Sequence, residues 1–354
     1  MHRIGIVRDP RFLDHKTGVH HIEVPRRLEA IYAMLDADAL TSQLQLVPPR
    51  VASLEDIEMI HTPEYIDKIL DTAGEPLRYL DPDTVTSEKS CEVAFLAAGS
   101  VLAAVDQVFS GVLDTVFALI RPPGHHAERN RQMGFCLFNN IAIAAAYAQR
   151  TYRCERILIV DWDVHHPNGT QHIFETSPQV LLFSTHRFPF FPGTGALSEI
   201  GRGQGCGFTV NVPLPARTDD RDFAFVYYQL LEPLAFEYQP DLILVSAGFD
   251  THRDDPIGGM QMTENGYRFL TDTVLRIADA TCGGKTIFLL EGGYDLGALR
   301  KSVKAVLETM HDGLEKSSCS FANALPRSDS PVFDIVASVK AQIAPYWKSF
   351  AGAV

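Results

Sequence analysis

The chain has 354 residues, 46% hydrophobic and 21% charged, the mix of a globular protein with a sizeable core rather than of a disordered or fibrous one. Its formal net charge is -13 and no Lys/Arg cluster exceeds a pair, which argues against direct nucleic-acid binding. The acidic field either favours cationic substrates or simply serves solubility. No run approaches the roughly 18 apolar residues expected of a membrane span. The cysteines (Cys91, Cys136, Cys154, Cys206, Cys282, Cys319) are scattered and form no CxxC. That pattern points to free thiols in a reducing compartment, the cytoplasm, and away from a cysteine zinc site.

In chain order, Met1 to Pro10 is too short for a signal peptide and reads as a first strand over Arg3–Val7. A helix over Pro25–Ala37 follows, with Pro25 suited to a first turn, and another over Glu88–Phe109. Next come a strand over Val116–Ile120, a helix over Asn140–Gln149, and strands over Ile157–Trp162, Val180–Ser184 and Thr209–Val212. A helix over Asp220–Glu237 precedes a strand over Leu242–Ser246. Thr263-Glu264 then opens a helix over Glu264–Ala280, before a strand over Thr286–Leu290 and a helix over Gly297–Met310. Ser317–Pro331 is the most loop-like stretch, and a terminal helix follows it. Most strands lack alternation, as expected where both faces are covered. Strands alternating with helices predict an α/β fold with a central, mainly parallel sheet flanked by helices. No repeat or long linker divides the chain, so residues 1–354 read as one domain.

In such sheets ligands gather beyond the carboxyl ends of the strands. Five expected strand ends run into polar or glycine-rich residues: Arg121-Pro122-Pro123-Gly124-His125-His126, Asp161-Trp162-Asp163-Val164-His165-His166, Ser184-Thr185-His186, Gly248-Phe249-Asp250 and Glu291-Gly292-Gly293-Tyr294. If Asp161, Asp163 and His165 still run extended, their side chains share one side. Carboxylates and an imidazole crowded together are costly unless a cation sits among them. With Asp250 they offer the N/O ligands and open position of a catalytic metal site, suited to Zn²⁺ and also to Fe²⁺ or Co²⁺. The competing reading is an Asp-His network that caps strand ends.

Metal-assisted amide hydrolysis needs a base for the attacking water and an acid for the leaving amine. His125 and His126, presented by a Pro-Pro-Gly turn, could supply both if different partners tune them apart. Asp161 and Asn168, one charged and one neutral, suit that task. Tyr294 offers a phenol donor for a scissile carbonyl. Phe135, Phe190 and Phe191, in glycine- and proline-rich loops, could wall a channel for an alkyl chain or simply pack the core.

Together, Arg121–His126, Gly134-Phe135, Asp161–Thr170, Phe190–Gly195, Gly248–Asp250 and Glu291–Tyr294 resemble the histone deacetylase and acetylpolyamine amidohydrolase superfamily, in its order and over nearly the whole chain. His20–Leu28 resembles that family's HPERPxRL segment. The resemblance implies a three-layer arginase/deacetylase fold and one Zn²⁺ per chain on Asp163, His165 and Asp250. It makes His125 and His126 the catalytic pair, with Asp161 and Asn168 behind them, and Tyr294 the carbonyl-polarising residue. Gly134, Phe135 and Phe191 would line an acyl-lysine tunnel, with Gly293 beside Tyr294. A monovalent-cation (K⁺) site would match Asp161, Asp163, His165, Ser184 and Thr185, largely through backbone oxygens. Ile257 falls at the tunnel mouth, where polyamine-specialised members can carry a glutamate, and Asp81 falls where a peptide backbone would be gripped.

Pro167-Asn168 replaces the Gly-Asp of many class I members and leans toward a class II-like relative. His21-Ile22 replaces the usual Pro-Glu, and Tyr294 stands where some weakly active relatives carry His. The expected activity is deacetylation of acetyl-lysine, with an acetylpolyamine or other small acylamine as the alternative substrate. In the polyamine case Asp14, Glu23 or Asp83 would supply acidic groups at the entrance. A ureohydrolase would need a second metal, but Asp250 is followed by Thr251-His252 rather than by another carboxylate. A non-catalytic acyl-lysine binder would not need the intact His pair and Tyr294.

Overall fold

The computed structural model describes residues 3–312 and 325–352. Met1, Cys319 and residues 317–324 of the loop-like stretch therefore lie outside the described residues. Among the described residues ten strands are formed: β1 (Ile4–Val7), β2 (Gln45–Leu46), β3 (Arg78–Tyr79), β4 (Val85–Thr86), β5 (Thr115–Ala118), β6 (Ile157–Asp161), β7 (Val180–Arg187), β8 (Thr209–Leu214), β9 (Leu242–Ala247) and β10 (Thr286–Leu290). Eight of them make one sheet in the order β2-β1-β5-β10-β9-β6-β7-β8, and every neighbouring pair in it is parallel. Strands β3 and β4 pair separately, antiparallel.

The expected apolar runs are the sheet's interior. Every residue of β1, β5, β6, β9 and β10 is buried, which explains why these strands show no alternation. Helices flank the sheet: Ser90–Phe109 packs with Asn140–Tyr152, and Leu296–Asp312 packs with Arg26–Ala37 and Glu264–Cys282. Glu264–Cys282 starts where expected. Thr263 Oγ1 accepts from the Asn265 N–H, and Gly283, at φ 64°, closes the other end.

Three expectations need correction. Ser90–Phe109 is long and apolar enough by composition to cross a membrane, but most of its residues are buried within the fold, so it is a core helix. The strand expected over Ile157–Trp162 stops at Asp161, so Asp163 and His165 lie in bends and not along an extended strand. Asp220–Glu237 is not one regular helix: a π turn at Tyr227–Leu231 separates Asp220–Val226 from Glu232–Tyr238. Pro233, which has no N–H to donate, follows that turn. Helices Pro63–Leu70 and Asn168–Phe174 were not expected. The two-residue strands β2, β3 and β4 are too short to leave a pattern.

A buried charge cluster ties the amino-terminal segment to the sheet. Glu23 accepts from Arg27 (2.9 Å) and Arg121 (2.7 Å to Nη2), and all three side chains are out of contact with solvent. Glu23 is therefore not an entrance group. Its charge is consumed, and the flanking guanidinium groups hold its carboxyl far below the usual range despite burial.

Two buried histidines nearby set an acid limit on stability. Burial, with Arg121 adding to it, pushes His15 down to about 3. Burial likewise pushes His61 down to about 4, and its Nε2 accepts from the Asn139 N–H at 2.9 Å. The unfolded chain protonates both near 6.5. Between these values the unfolded state binds more protons, so the contribution is complete above pH 6.5 and is lost as pH falls toward 4 and 3. Denaturant unfolding should lose about 1.4 kcal/mol per pH unit for each histidine in that window. His61→Gln, which keeps an acceptor for Asn139, should flatten the slope. A wild-type slope no steeper than the variant's would exclude His61 as its source.

Candidate active site

Strands β5, β10, β9 and β6 are adjacent in the sheet although distant in sequence. Being parallel, they end on one edge, and the segments beyond them converge there. A narrow cavity of about 90 Å³ opens at this edge, lined by Asp83, His125, His126, Phe135, His165, Phe191, Ile257 and Tyr294 among others.

Asp163, His165 and Asp250 are buried, with one ligand atom of each within 4.8 Å of the others. Asp250 Oδ1 accepts from the Val164 N–H (2.8 Å), Asp163 Oδ1 from the His165 N–H (2.9 Å), and Asp163 Oδ2 from the Gly292 N–H (2.9 Å). His165 Nδ1 lies 2.9 Å from Asp163 Oδ1 and 3.2 Å from Asp250 Oδ2. One proton on that nitrogen cannot serve both oxygens, and Asp250 Oδ2 is left without a hydrogen bond. Burial opposes charge on His165, but the two carboxylates outweigh it and hold the ring up at about 9. Burial, then Asp163, pushes Asp250 up to about 7. Two carboxylates drawing a proton onto one imidazole, with an orphaned oxygen aimed inward, fit a cation. Gly292 keeps this space open, since a Cβ there would strike Asp250 Oδ2 and Asp163 Oδ2.

The two histidines face different partners. His125 Nδ1 is 3.0 Å from Asp161 Oδ2, whereas His126 Nδ1 is 2.7 Å from Asn168 Oδ1. Burial opposes charge on both. At His125 it is overcome by Asp161, Asp163 and Glu291, which hold the ring up at about 10. At His126 nothing comparable opposes it, and the charged His125 and His165 push the ring further down. Asp161 also accepts from the Asp163 N–H (3.0 Å), so it belongs behind His125 and not with the three clustered ligands.

Tyr294 lines the cavity with its ring edge-on to Phe135 and a guanidinium, Arg27, 5.1 Å from its centre. Burial keeps its phenol protonated well above the usual range. Arg27 Nε donates to the Gly293 carbonyl (2.7 Å), so Gly293 anchors the loop. Gly134 and Phe135 both adopt positive φ, 55° and 69°. This costly backbone for a phenylalanine turns its ring into the cavity. A Cβ on Gly134 would meet the His126 ring.

Phe191 lines the cavity, but Phe190 stacks on His165 instead. Ile257 also lines the cavity. Asp83 lines the cavity itself, while Asp81 lines an adjoining hollow and turns its Oδ1 back to the Asp83 and Thr84 N–H groups. Asp14 is exposed along a different groove. Ser184 Oγ bonds His186 Nδ1 (2.8 Å), and the Thr185 hydroxyl reaches the Asp161 carbonyl (3.4 Å).

Sequence reading missed several residues here. Glu291 Oε2 accepts from the Gly124 N–H (2.7 Å) and fixes the turn that carries the histidines. Asp255 accepts from Ile257, Gly258 and Tyr294 N–H groups. Glu128 sits behind Asn168. Neither Glu128 nor Asp255 carries a local pattern that marks its role, and Glu291 is seen only as the head of a strand-end segment.

The sequence matches a model described as a histone deacetylase domain over residues 21–310. It is 40% identical over 300 residues to histone deacetylase 14, chloroplastic, of Arabidopsis thaliana, covering 80% of this chain and 71% of that one. It is also 40% identical over 341 residues to polyamine deacetylase HDAC10 of Homo sapiens, covering 93% of this chain and 50% of that one. The chain thus spans about half the length of several curated relatives it matches. The crystal structure of the HDA15 HD domain superposes with a TM-score of 0.92 at 36% identity, over 99% of this chain and 97% of that one. By sequence and by its arginase/deacetylase fold, the chain belongs to the histone deacetylase family.

Proposed function

We propose that the chain hydrolyses the amide of an acylated amine, with acetyl-lysine as the favoured substrate and one zinc ion held by Asp163, His165 and Asp250. The observation that carries this reading is a buried three-ligand cluster sharing one cavity with two oppositely tuned histidines and a phenol. When bound, such a cation polarises the carbonyl and makes water a better nucleophile. His126, neutral and with Nε2 free of protein partners among the described residues, takes the proton of the attacking water. His125, kept charged against Asp161, supplies a proton to the leaving amine. Tyr294 donates to the carbonyl oxygen as negative charge develops on it. Phe135 and Phe191 enclose the alkyl stem and exclude water. A K⁺ ion on main-chain oxygens around Asp161, Asp163, His165, Ser184 and Thr185, and a cytoplasmic setting, complete the proposal; the first rests on the resemblance and the second on cysteine usage.

A second reading, an acetylpolyamine as substrate, is favoured by one observation: Asp83 faces the same cavity as Ile257. Ile257 makes a charged mid-chain amine costly to desolvate, and an alkyl lysine stem loses nothing there. We expect wild type to give the higher kcat/KM on an acetyl-lysine peptide than on an acetylated spermidine, and Ile257→Glu to narrow the gap. Wild type preferring the polyamine by about tenfold or more would overturn this order and assign selectivity to Asp83.

Chelation should abolish hydrolysis and Zn²⁺ should restore it. Asp250→Ala should lose metal with most of the fold intact, as metal analysis and circular dichroism would show. Two tightly held metals per site would overturn the mononuclear reading. Tyr294→Phe should lower kcat on the order of 10²-fold with little change in Tm. Near-normal turnover would mean that another group polarises the carbonyl.

A further inference from the structure

The Asn168 amide is hydrogen-bonded on both sides. Its Oδ1 lies 2.7 Å from His126 Nδ1, and its Nδ2 donates to Glu128 Oε1 at 2.7 Å and to the His126 carbonyl at 3.2 Å. An asparagine has no intrinsic side: rotated by half a turn it exchanges donor for acceptor. Rotated here, its oxygen would face a carboxylate and a carbonyl, neither of which can donate, and its NH₂ would face His126 Nδ1. Glu128 makes that alternative unfavourable, because two oxygens would meet across a hydrogen-bond distance in a buried site.

Glu128 is itself fixed. Its Oε1 lies 2.8 Å from His172 Nδ1 and 3.6 Å from Arg131 Nη2, and its N–H donates to the Arg131 carbonyl at 2.9 Å. His172 lies one turn after Asn168 on the helix Asn168–Phe174, so one helix face presents both residues to the same carboxylate. The nearly buried Glu128 stays ionised, because His172, Asn168 and Arg131 outweigh the cost of its burial. A Cβ at residue 134 would strike the His126 ring, so the glycine there leaves the ring its place.

We propose that Glu128 is a positioning residue: it orients the Asn168 amide and thereby holds His126 as the tautomer with Nδ1 protonated and Nε2 free to accept. The inference deepens the proposed function, since it explains how a neutral partner imposes the acceptor form needed on His126. A carboxylate partner would impose that form in any orientation; an amide needs a second residue to direct it.

Isotope-labelled histidine in the whole chain, read by NMR, reports which ring nitrogen of His126 carries the proton. A His126→Gln spectrum assigns the signal. Wild type should show Nδ1 protonated. Glu128→Met should lose that preference and lower kcat on an acetyl-lysine peptide about tenfold or more at nearly constant KM. Glu128→Gln, whose amide oxygen keeps an acceptor toward Asn168, should retain both properties. Asn168→Asp added to Glu128→Met should restore Nδ1 protonation and kcat, because a carboxylate imposes that form without a directing residue; a merely structural Glu128 would not be rescued by it. If Glu128→Met does not fold, Glu128→Ala read in the same ways decides the matter. Nδ1 protonation unchanged in the Glu128 variant with kcat within about threefold of wild type, or no recovery on adding Asn168→Asp, would overturn the proposal. The tautomer signal needs no substrate, so a wild type that is inert on every acylamine would refute the function while leaving Glu128's control of His126 measurable.

Discussion

Negative charge buried at the carboxyl edge of the sheet is the constraint around which the rest is arranged. Asp161, Asp163, Asp250 and Glu291 all lie there almost without solvent contact. Carboxylates in such a place either take up protons or recruit positive charge. Both responses are visible: Asp250 and Glu291 are raised to about 7, while His125 and His165 are held charged. Backbone N–H groups of Gly124, Asp163, Val164, His165 and Gly292 are spent on these same oxygens. The loops therefore take their shape from the charge, and the charge is tolerable because of the loops.

The same constraint separates the two adjacent histidines. Chain neighbours in one turn would ordinarily share an environment. Here His125 points at Asp161 on the end of β6, and His126 at Asn168 on the helix that begins a few residues later. One ring sits in the field of the carboxylates. The other sees an amide whose nearest charge, Glu128, faces away from the ring toward His172 and Arg131. A single turn thus carries a proton donor and a proton acceptor.

Much of this was legible from the amino acids because parallel strands buried on both faces leave unbroken apolar runs, and their ends are marked by abrupt polar residues. That places Asp163, His165, Asp250, the His pair and Tyr294 on one edge before any coordinates are known. The local geometry was not legible. Asp163 and His165 come together through side-chain bonds to backbone N–H groups in bends, not through strand alternation. Glu23 reads as an acidic group at the entrance, yet Arg121, far along the chain, draws it fully inside. Glu128 and Glu291 act on partners far away in sequence, as does Asp255 toward Tyr294, and no periodicity records such pairings.

The rim of the cavity follows a different rule from its floor. Asp255 closes the turn that carries Ile257, accepting from the Ile257 and Gly258 N–H groups with one oxygen and from the Tyr294 N–H with the other. Asp81 closes the turn that carries Asp83, and Thr84 in that turn accepts from the Phe135 N–H. Each rim side chain is thus set by a short turn whose carboxylate takes up backbone donors, and each turn is linked to a wall or floor residue. Ile257 and Asp83 both line the cavity from these turns. Exchanging either leaves the N–H groups that Asp255 and Asp81 accept in place, so substrate selectivity can change at the rim while the floor is preserved. That separation is why the clustering at the floor was readable from strand ends, whereas the arrangement of the rim was not.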